Sequence, residues 1–188
     1  MGVAIADAAA DAGADVWLVL GPVSRFPRNS SVEVINVTDA ASMTKECIRL
    51  FPDCDIAILA AAVADFTPVR VAAGKIKREG SELNLRLKPT TDIAEALGKM
   101  KKPGQLLAGF ALETDNEFDN ALEKLKKKNL DLIVLNSLRD EGAGFGFDTN
   151  KITTIDRNNN IAKFELKSKD EAAADIIGII ARMIEKSE

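Results

Sequence analysis

Apolar residues in this chain fall into two patterns, short dense runs and longer stretches in which they recur every three or four positions. Val16-Trp17-Leu18-Val19-Leu20 is a dense run stopped by Gly21-Pro22, as expected of a parallel strand buried on both faces. Ile56 to Val63 is the most hydrophobic stretch, ends at Ala64-Asp65, and is expected to form a central strand. Val32–Val37, Gln105–Ala111 and Leu130–Leu135 predict further strands, the last ending at Asn136. Between them lie helical patterns. Gly2 to Ala12 is closed by Gly13, and Thr38 or Asp39 caps a helix to about Phe51. Thr91-Asp92 opens a helix to about Met100, Thr114 or Asp115 opens one to about Lys127, and Asp170–Glu185 is amphipathic. Lys151–Asp156 and Ile161–Lys167 flank Arg157-Asn158-Asn159-Asn160 and predict a hairpin.

Strand and helix alternate over most of the chain. That order predicts an α/β fold, a mainly parallel sheet with helices on both faces and a small antiparallel addition at 151–167. Residues 66–90 break the rhythm. They carry Pro68, Gly74 and Gly80, then Leu83, Leu85 and Leu87 alternating with polar residues, which predicts a half-buried strand inside an excursion. A length of 188 residues fits one domain spanning 1–188.

Composition narrows the chemistry. Net charge is −4, against a general nucleic-acid binder, and no apolar run approaches the roughly 18 residues of a membrane span. No basic stretch leads into an apolar one at the start, and the expected location is the cytoplasm. Histidine and tyrosine are both absent, which removes Ser–His–Asp triads, histidine-ligated metals and histidine bases. Cys47 and Cys54 supply too few ligands for a thiolate zinc site and are expected to be plain core residues. The remaining tools are lysines, carboxylates, amides and backbone N–H groups.

In a parallel sheet, ligands sit outside the carboxyl ends of the strands. The residues expected there are Gly21-Pro22-Val23, Ala64-Asp65-Phe66, Gly109 to Thr114, and Asn136. Asp65 suits a ribose, an amine or Mg²⁺, or equally a loop cap. Phe110 suits stacking on a base, or the core. Lys75, Lys77 and Arg78 suit phosphate, or a solvated basic loop. Lys124 and Lys128 share a helix face at i,i+4, where cations also answer the helix dipole. Gly142, Gly144 and Gly146 suit a lid or binding turn, and no GxGxxG follows a strand, which disfavours a nicotinamide or flavin oxidoreductase.

Five motifs then occur in order: Ala61-Ala62-Val63-Ala64-Asp65-Phe66, Lys75-Ile76-Lys77-Arg78, Gly109-Phe110-Ala111-Leu112-Glu113-Thr114, Lys128-Asn129-Leu130-Asp131-Leu132-Ile133 and Gly146-Phe147-Asp148-Thr149-Asn150. In order and spacing the chain closely resembles the phosphopantothenoylcysteine synthetases, often the C-terminal half of a bacterial bifunctional decarboxylase–synthetase. The resemblance implies a Rossmann-like sheet and a CTP-dependent ligase with Mg²⁺. Such an enzyme joins 4′-phosphopantothenate to L-cysteine through an acyl-cytidylate. It implies a catalytic role for Lys75, and nucleotide contacts for Asp65, Lys75, Thr91, Asp92, Ile93, Ala94, Phe110, Lys124 and Lys128. Ala61, Ala62 and Val63 would contact substrate. It further implies a homodimer joined through the 66–90 flap, and a fused or associated flavin-dependent decarboxylase.

Two departures stand out. Thr91 stands where the family usually has proline. Family members also open with a strand and a loop reading roughly N-H-S-S-G-K-M-G, which carries an asparagine that holds the acyl-cytidylate. The sequence here matches only the end of that loop at Met1-Gly2. The expectation is a partial record of a longer chain, because a sheet without that strand would expose a wide apolar slot. The rival reading is a nucleotide-binding module of the same fold without ligase activity.

Overall fold

The structure, a computed structural model, describes residues 1–78, 82–113, 117–137 and 146–185. Its largest sheet has five strands in the order β10-β9-β7-β6-β3. These are β3 (Ile56–Leu59), β6 (Leu106–Glu113), β7 (Leu132–Ser137), β9 (Ile152–Asp156) and β10 (Ile161–Lys163). β3, β6 and β7 run parallel, with Leu59 opposite Gly109 and Phe110 opposite Val134. β9 returns antiparallel to β7, and β10 completes the expected hairpin.

Helices cover both faces. On one side α1 (Gly2–Asp11) and α5 (Lys169–Glu185) bury Ala4, Ile5, Ala172, Ala173 and Ile176 against Ala108, Leu132 and Val134. On the other, α3 (Ile93–Met100) and α4 (Glu117–Lys127) bury Ile93, Leu97, Ala121 and Leu125 against Leu107, Ala111, Ile133 and Leu135. The helix starts are set by side chains. Asp39 and Ser42 form a reciprocal capping box at the head of α2 (Ala40–Leu50), and Ser168 and Glu171 exchange bonds in the same way at α5. Gly13, at φ +91°, ends α1 in the left-handed region that favours glycine. The expected start of α4 at Thr114 or Asp115, and Gly142 and Gly144, lie outside the described residues. Among the described residues no helix is long and apolar enough to cross a membrane.

Three expectations need correction. Ile56–Val63 is not a central strand: β3 stops at Leu59 and, among the described residues, pairs only with β6. Nor is the Val16–Leu20 run doubly buried. It forms β1 (Trp17–Leu20), which among the described residues pairs only with the parallel β2 (Glu33–Asn36), and Trp17 is exposed with its Nε1 donating to Glu33 at 2.9 Å. Both strands lose burial for one reason. Their free edges face an open slot lined by all four residues of each, and α1 and α2 carry the β1–β2 ribbon beside the main sheet across it. The apolar slot expected from the sequence is therefore present, and half-buried Cys47 and Cys54 line it while packing, as expected, against the core around Phe51 and Leu97.

The third correction concerns the excursion. Among the described residues only β4 (Phe66–Pro68) and β5 (Leu87–Pro89) pair here, antiparallel, and Leu83, Leu85 and Leu87 are all exposed, with no described layer covering them.

At the amino edge of the main sheet, Asp131 is buried and ties four segments together. Its carboxylate accepts from Leu107 N at 2.7 Å and from Lys101 Nζ at 2.8 and 2.9 Å, and forms an ion pair with the Arg157 guanidinium at 2.8 Å. Burial lowers the pKa of the Lys101 ammonium, and Asp131 works against that shift. Removing one partner of a buried pair leaves the other uncompensated, at a cost of about 3 kcal/mol. Asp131→Asn should lose about that much in urea unfolding followed by circular dichroism. Glu46→Gln, which breaks an exposed pair with Arg49, should lose under about 1 kcal/mol.

Candidate functional site

The slot continues to the carboxyl ends of β3 and β6 as a cleft, and slot and cleft together enclose about 1310 Å³. Ala61, Ala62, Val63 and Asp65 reach it from the loop after β3, Gly109 and Phe110 from β6, and Thr91, Asp92, Ile93 and Ala94 from the head of α3. Lys124 and Lys128 reach it from the end of α4. The structure thus gathers the residues expected from the resemblance to contact nucleotide and substrate, with the exception of Lys75; Lys77, Arg78 and Asn136 also lie outside the lining. Lys75 lies exposed in the excursion between β4 and β5 and does not line the cleft. Asn136, also expected at this edge, sits opposite Leu112 on β7, where its Oδ1 accepts from buried Asn150 at 3.1 Å.

Hydrogen bonds fix the geometry locally. Thr90 donates from its N–H to Asp65 O at 2.9 Å and from Oγ1 to Ala64 O at 2.7 Å, fastening the loop after β3 to the head of α3. Asp65 therefore stands beside Thr91 and Asp92 although 26 residues separate Ala64 from Thr90. Asp92 caps α3, accepting from Glu95 N at 3.1 Å through Oδ1, while Oδ2 pairs with Lys128 Nζ at 2.8 Å. Partial burial pushes the Asp92 carboxyl up, but the Lys128 ammonium and the backbone N–H groups of α3 outweigh it. Its pKa lies below the ordinary carboxylate value.

Sequence reasoning passed over the residue that makes this pairing possible. Gly98 lets α3 lie directly on the end of α4: a Cβ there would stand 2.0 Å from the carbonyl oxygen of Lys128. Asn129, at φ 53°, turns the chain out of α4 and donates from Nδ2 to Gly98 O at 2.8 Å. A glycine inside an otherwise helical pattern is the signal that marks such a close approach. Gly109 plays a milder part, leaving room for the Leu130 side chain, which would stand 2.9 Å from an added Cβ.

Electrostatically the cleft joins Lys124 and Lys128 at the end of α4 to Asp65 and Asp92, and its lining adds Arg25, Lys169, Asp39 and Asp148 among many small and apolar side chains. Among the described residues no group of three or more His, Cys, Asp or Glu could hold a metal ion on its own. Such a site suits a flat apolar group bearing phosphates, with Phe110 as the aromatic surface and lysines for the charge.

Residues 1–184 match the family described as DNA/pantothenate metabolism flavoprotein C-terminal domain. The chain is 60% identical over 184 residues to a cysteine/cysteine sulfinic acid decarboxylase from an unknown prokaryotic organism, covering 98% of this chain and 51% of that protein. It is 42% identical over 183 residues to the coenzyme A biosynthesis bifunctional protein CoaBC of Bacillus subtilis (strain 168), covering 97% and 45%. The chain thus spans about half the length of these curated relatives. The crystal structure of the C-terminal domain of a CoaBC protein aligns at a TM-score of 0.82 and 34% identity, covering 98% of this chain and 82% of that one.

The site generates one prediction about its own scaffold. Gly98→Ala drives a Cβ into backbone that cannot step aside, and overpacking of this kind costs about 3 kcal/mol. Thermal unfolding should fall by several degrees, whereas Gly104→Ala, in open space but at φ +85°, should lose about 1 kcal/mol through backbone strain alone.

Proposed function

Because the chain belongs to the DNA/pantothenate metabolism flavoprotein C-terminal domain family, we propose that its cleft is the nucleotide site of a phosphopantothenate–cysteine ligase. In this reading the carboxylate of 4′-phosphopantothenate attacks the α-phosphorus of CTP, pyrophosphate leaves, and an acyl-cytidylate forms. The amine of L-cysteine then attacks the acyl carbon, and CMP departs as the amide forms. The single observation that carries the reading is the gathering of Asp65, Asp92, Phe110, Lys124 and Lys128 around one cleft at the carboxyl edge of the sheet. Neither step calls for a histidine or a side-chain nucleophile, which accords with a chain that has no histidine.

Phe110 would meet the cytosine, and Lys124 and Lys128 the phosphates. Mg²⁺ fits as the companion of the triphosphate, since it is commonly held by phosphates and one or two carboxylates. Asp65 would be the carboxylate to meet it, since Asp92 is engaged by Lys128. That ion would supply charge neutralisation on the departing pyrophosphate. Lys75 would act from the flap in the second step. The decarboxylase named in one relative would then belong to the half of that protein outside the matched region.

The second reading is a nucleotide-binding module of the same fold without ligase activity. Pyrophosphate release from labelled CTP, dependent on 4′-phosphopantothenate, supports the ligase. CTP binding without release supports the module. Tighter binding of ATP than CTP would refute the cytidine assignment.

Lys75→Gln should leave the melting temperature unchanged and lower product formation about 100-fold, with acyl-cytidylate accumulating in the presence of cysteine. Lys77→Gln should be milder, and equal small effects at both would return the loop to solvent. The exposed apolar flap, with Val71, Ile76, Leu83 and Leu85, fits a homodimer interface. Light scattering should give twice 20.2 kDa, and a micromolar monomer would count against the dimer.

A further inference from the structure

The cleft has a second basic corner, on the face covered by α1 and α5 and away from Lys124 and Lys128. Lys169 opens α5, Arg25 comes from the loop after β1, and both line the cleft. Each is held from behind. The N–H of Lys169 donates to Asp148 O at 3.0 Å, and Lys167–Ser168 pairs antiparallel with Thr149–Asn150, so the 146–150 motif fixes the head of α5. The Arg25 loop is clamped by Asp7 of α1, which is 1% exposed and accepts from Arg28 N at 2.8 Å and Asn29 N at 3.0 Å. A carboxylate so buried is costly unless its bonds are made, and here those bonds hold a loop at the rim of the cleft.

The charges at this corner are not all answered. Arg25 Nη2 meets Asp170 at 2.7 Å, which spends that carboxylate and leaves most of the guanidinium donors over. Lys169 is half-buried, and among the described residues its ammonium makes no hydrogen bond or ion pair, with Asp148 or any other group. Lys128, by contrast, is paired with Asp92. A partly shielded ammonium without a partner gains most from an anion that brings charge-assisted bonds. We infer that Lys169 and Arg25 form a second anion subsite of the cleft, one that takes a phosphate group, and that Asp7 is a positioning residue acting through the Arg25 loop. This rests on the ligase reading, in which two phosphate-bearing substrates share the cleft. The α4 lysines stand on the opposite face of the sheet, so one phosphate cannot fill both corners. Two sources carry the chemistry that fits, the outer phosphates of the nucleotide and the phosphomonoester of 4′-phosphopantothenate.

The test is calorimetric titration with CTP, CMP, 4′-phosphopantothenate and inorganic pyrophosphate. The proteins are the wild-type chain, Lys169→Gln, and Lys163→Gln as an exposed control on β10. All three should melt together. Lys169→Gln should bind at least one probe about tenfold more weakly, as expected for the loss of one charge-assisted bond, and Lys163→Gln should match the wild type. Weaker CTP with unchanged CMP assigns the subsite to the outer phosphates of the nucleotide. Weaker 4′-phosphopantothenate with unchanged CTP assigns it to the acyl substrate. Asp7→Asn should weaken the same probe, and add little in an Arg25→Gln background; an equal loss in both backgrounds would make Asp7 a structural group only. Affinities within about twofold of wild type for every probe in Lys169→Gln, or an equal loss in Lys163→Gln, overturn the subsite. Pyrophosphate binding that depends on Lys169, with no CTP binding, would sink the ligase reading and leave the subsite standing. Absence of binding by every probe to the wild-type chain would overturn both.

Discussion

The buried Asp131 carboxylate is the fixed point of this fold. Three groups converge on it from outside its own turn into β7: Leu107 at the start of β6, Lys101 after α3, and Arg157 in the hairpin. Arg157 extends the knot by donating to Leu130 O at 2.8 Å and to the side chain of Asn129. Charge-assisted bonds of this kind are short and directional, so the amino edge of the sheet is held closely. Asn129 then passes the constraint to Gly98, and Gly98 to the seating of α3 on α4. The placement of Lys128 against Asp92 at the opposite edge is thus set, step by step, from the closed end of the sheet.

Much of this was legible in the residues, and what was not has a physical cause. Dense apolar runs located β1, β3, β6 and β7, although β1 and β3 are only partly buried. Caps located α2 and α3, since Asp39 and Asp92 sit at their heads. Position within the sheet was less readable: Ile56–Leu59 is as hydrophobic as a central strand, yet its edge faces a slot. Composition records what a strand would tolerate as neighbours, and is blind to whether a neighbour is there. Leu83, Leu85 and Leu87 misled in the same way, because alternation signals one face seeking cover and does not supply the cover.

At the site, residue types were readable and their partners were not. Two lysines at i,i+4 on one helix face announce a paired charge, and Asp92 was legible as a cap. Their union depends on Gly98, thirty residues from Lys128, whose role is the absence of a side chain. Thr90 is similar: nothing in its neighbours shows that it fastens the loop after β3. Long-range hydrogen bonds and close backbone approaches leave little trace in local pattern, which is why the cleft's contents were foreseen better than its assembly.

Trp17 gives the slot a further consequence. It is the only tryptophan in the chain, and tyrosine is absent, so the intrinsic ultraviolet emission of the protein arises almost wholly from β1. Circular dichroism, by contrast, averages over five helices and the main sheet. The two signals therefore view different bodies on either side of the slot, and coincidence of their transitions is the usual mark of a single cooperative unit. Any separation between them measures how far two small sheets that share helices, but no strand-to-strand bond, behave as one protein.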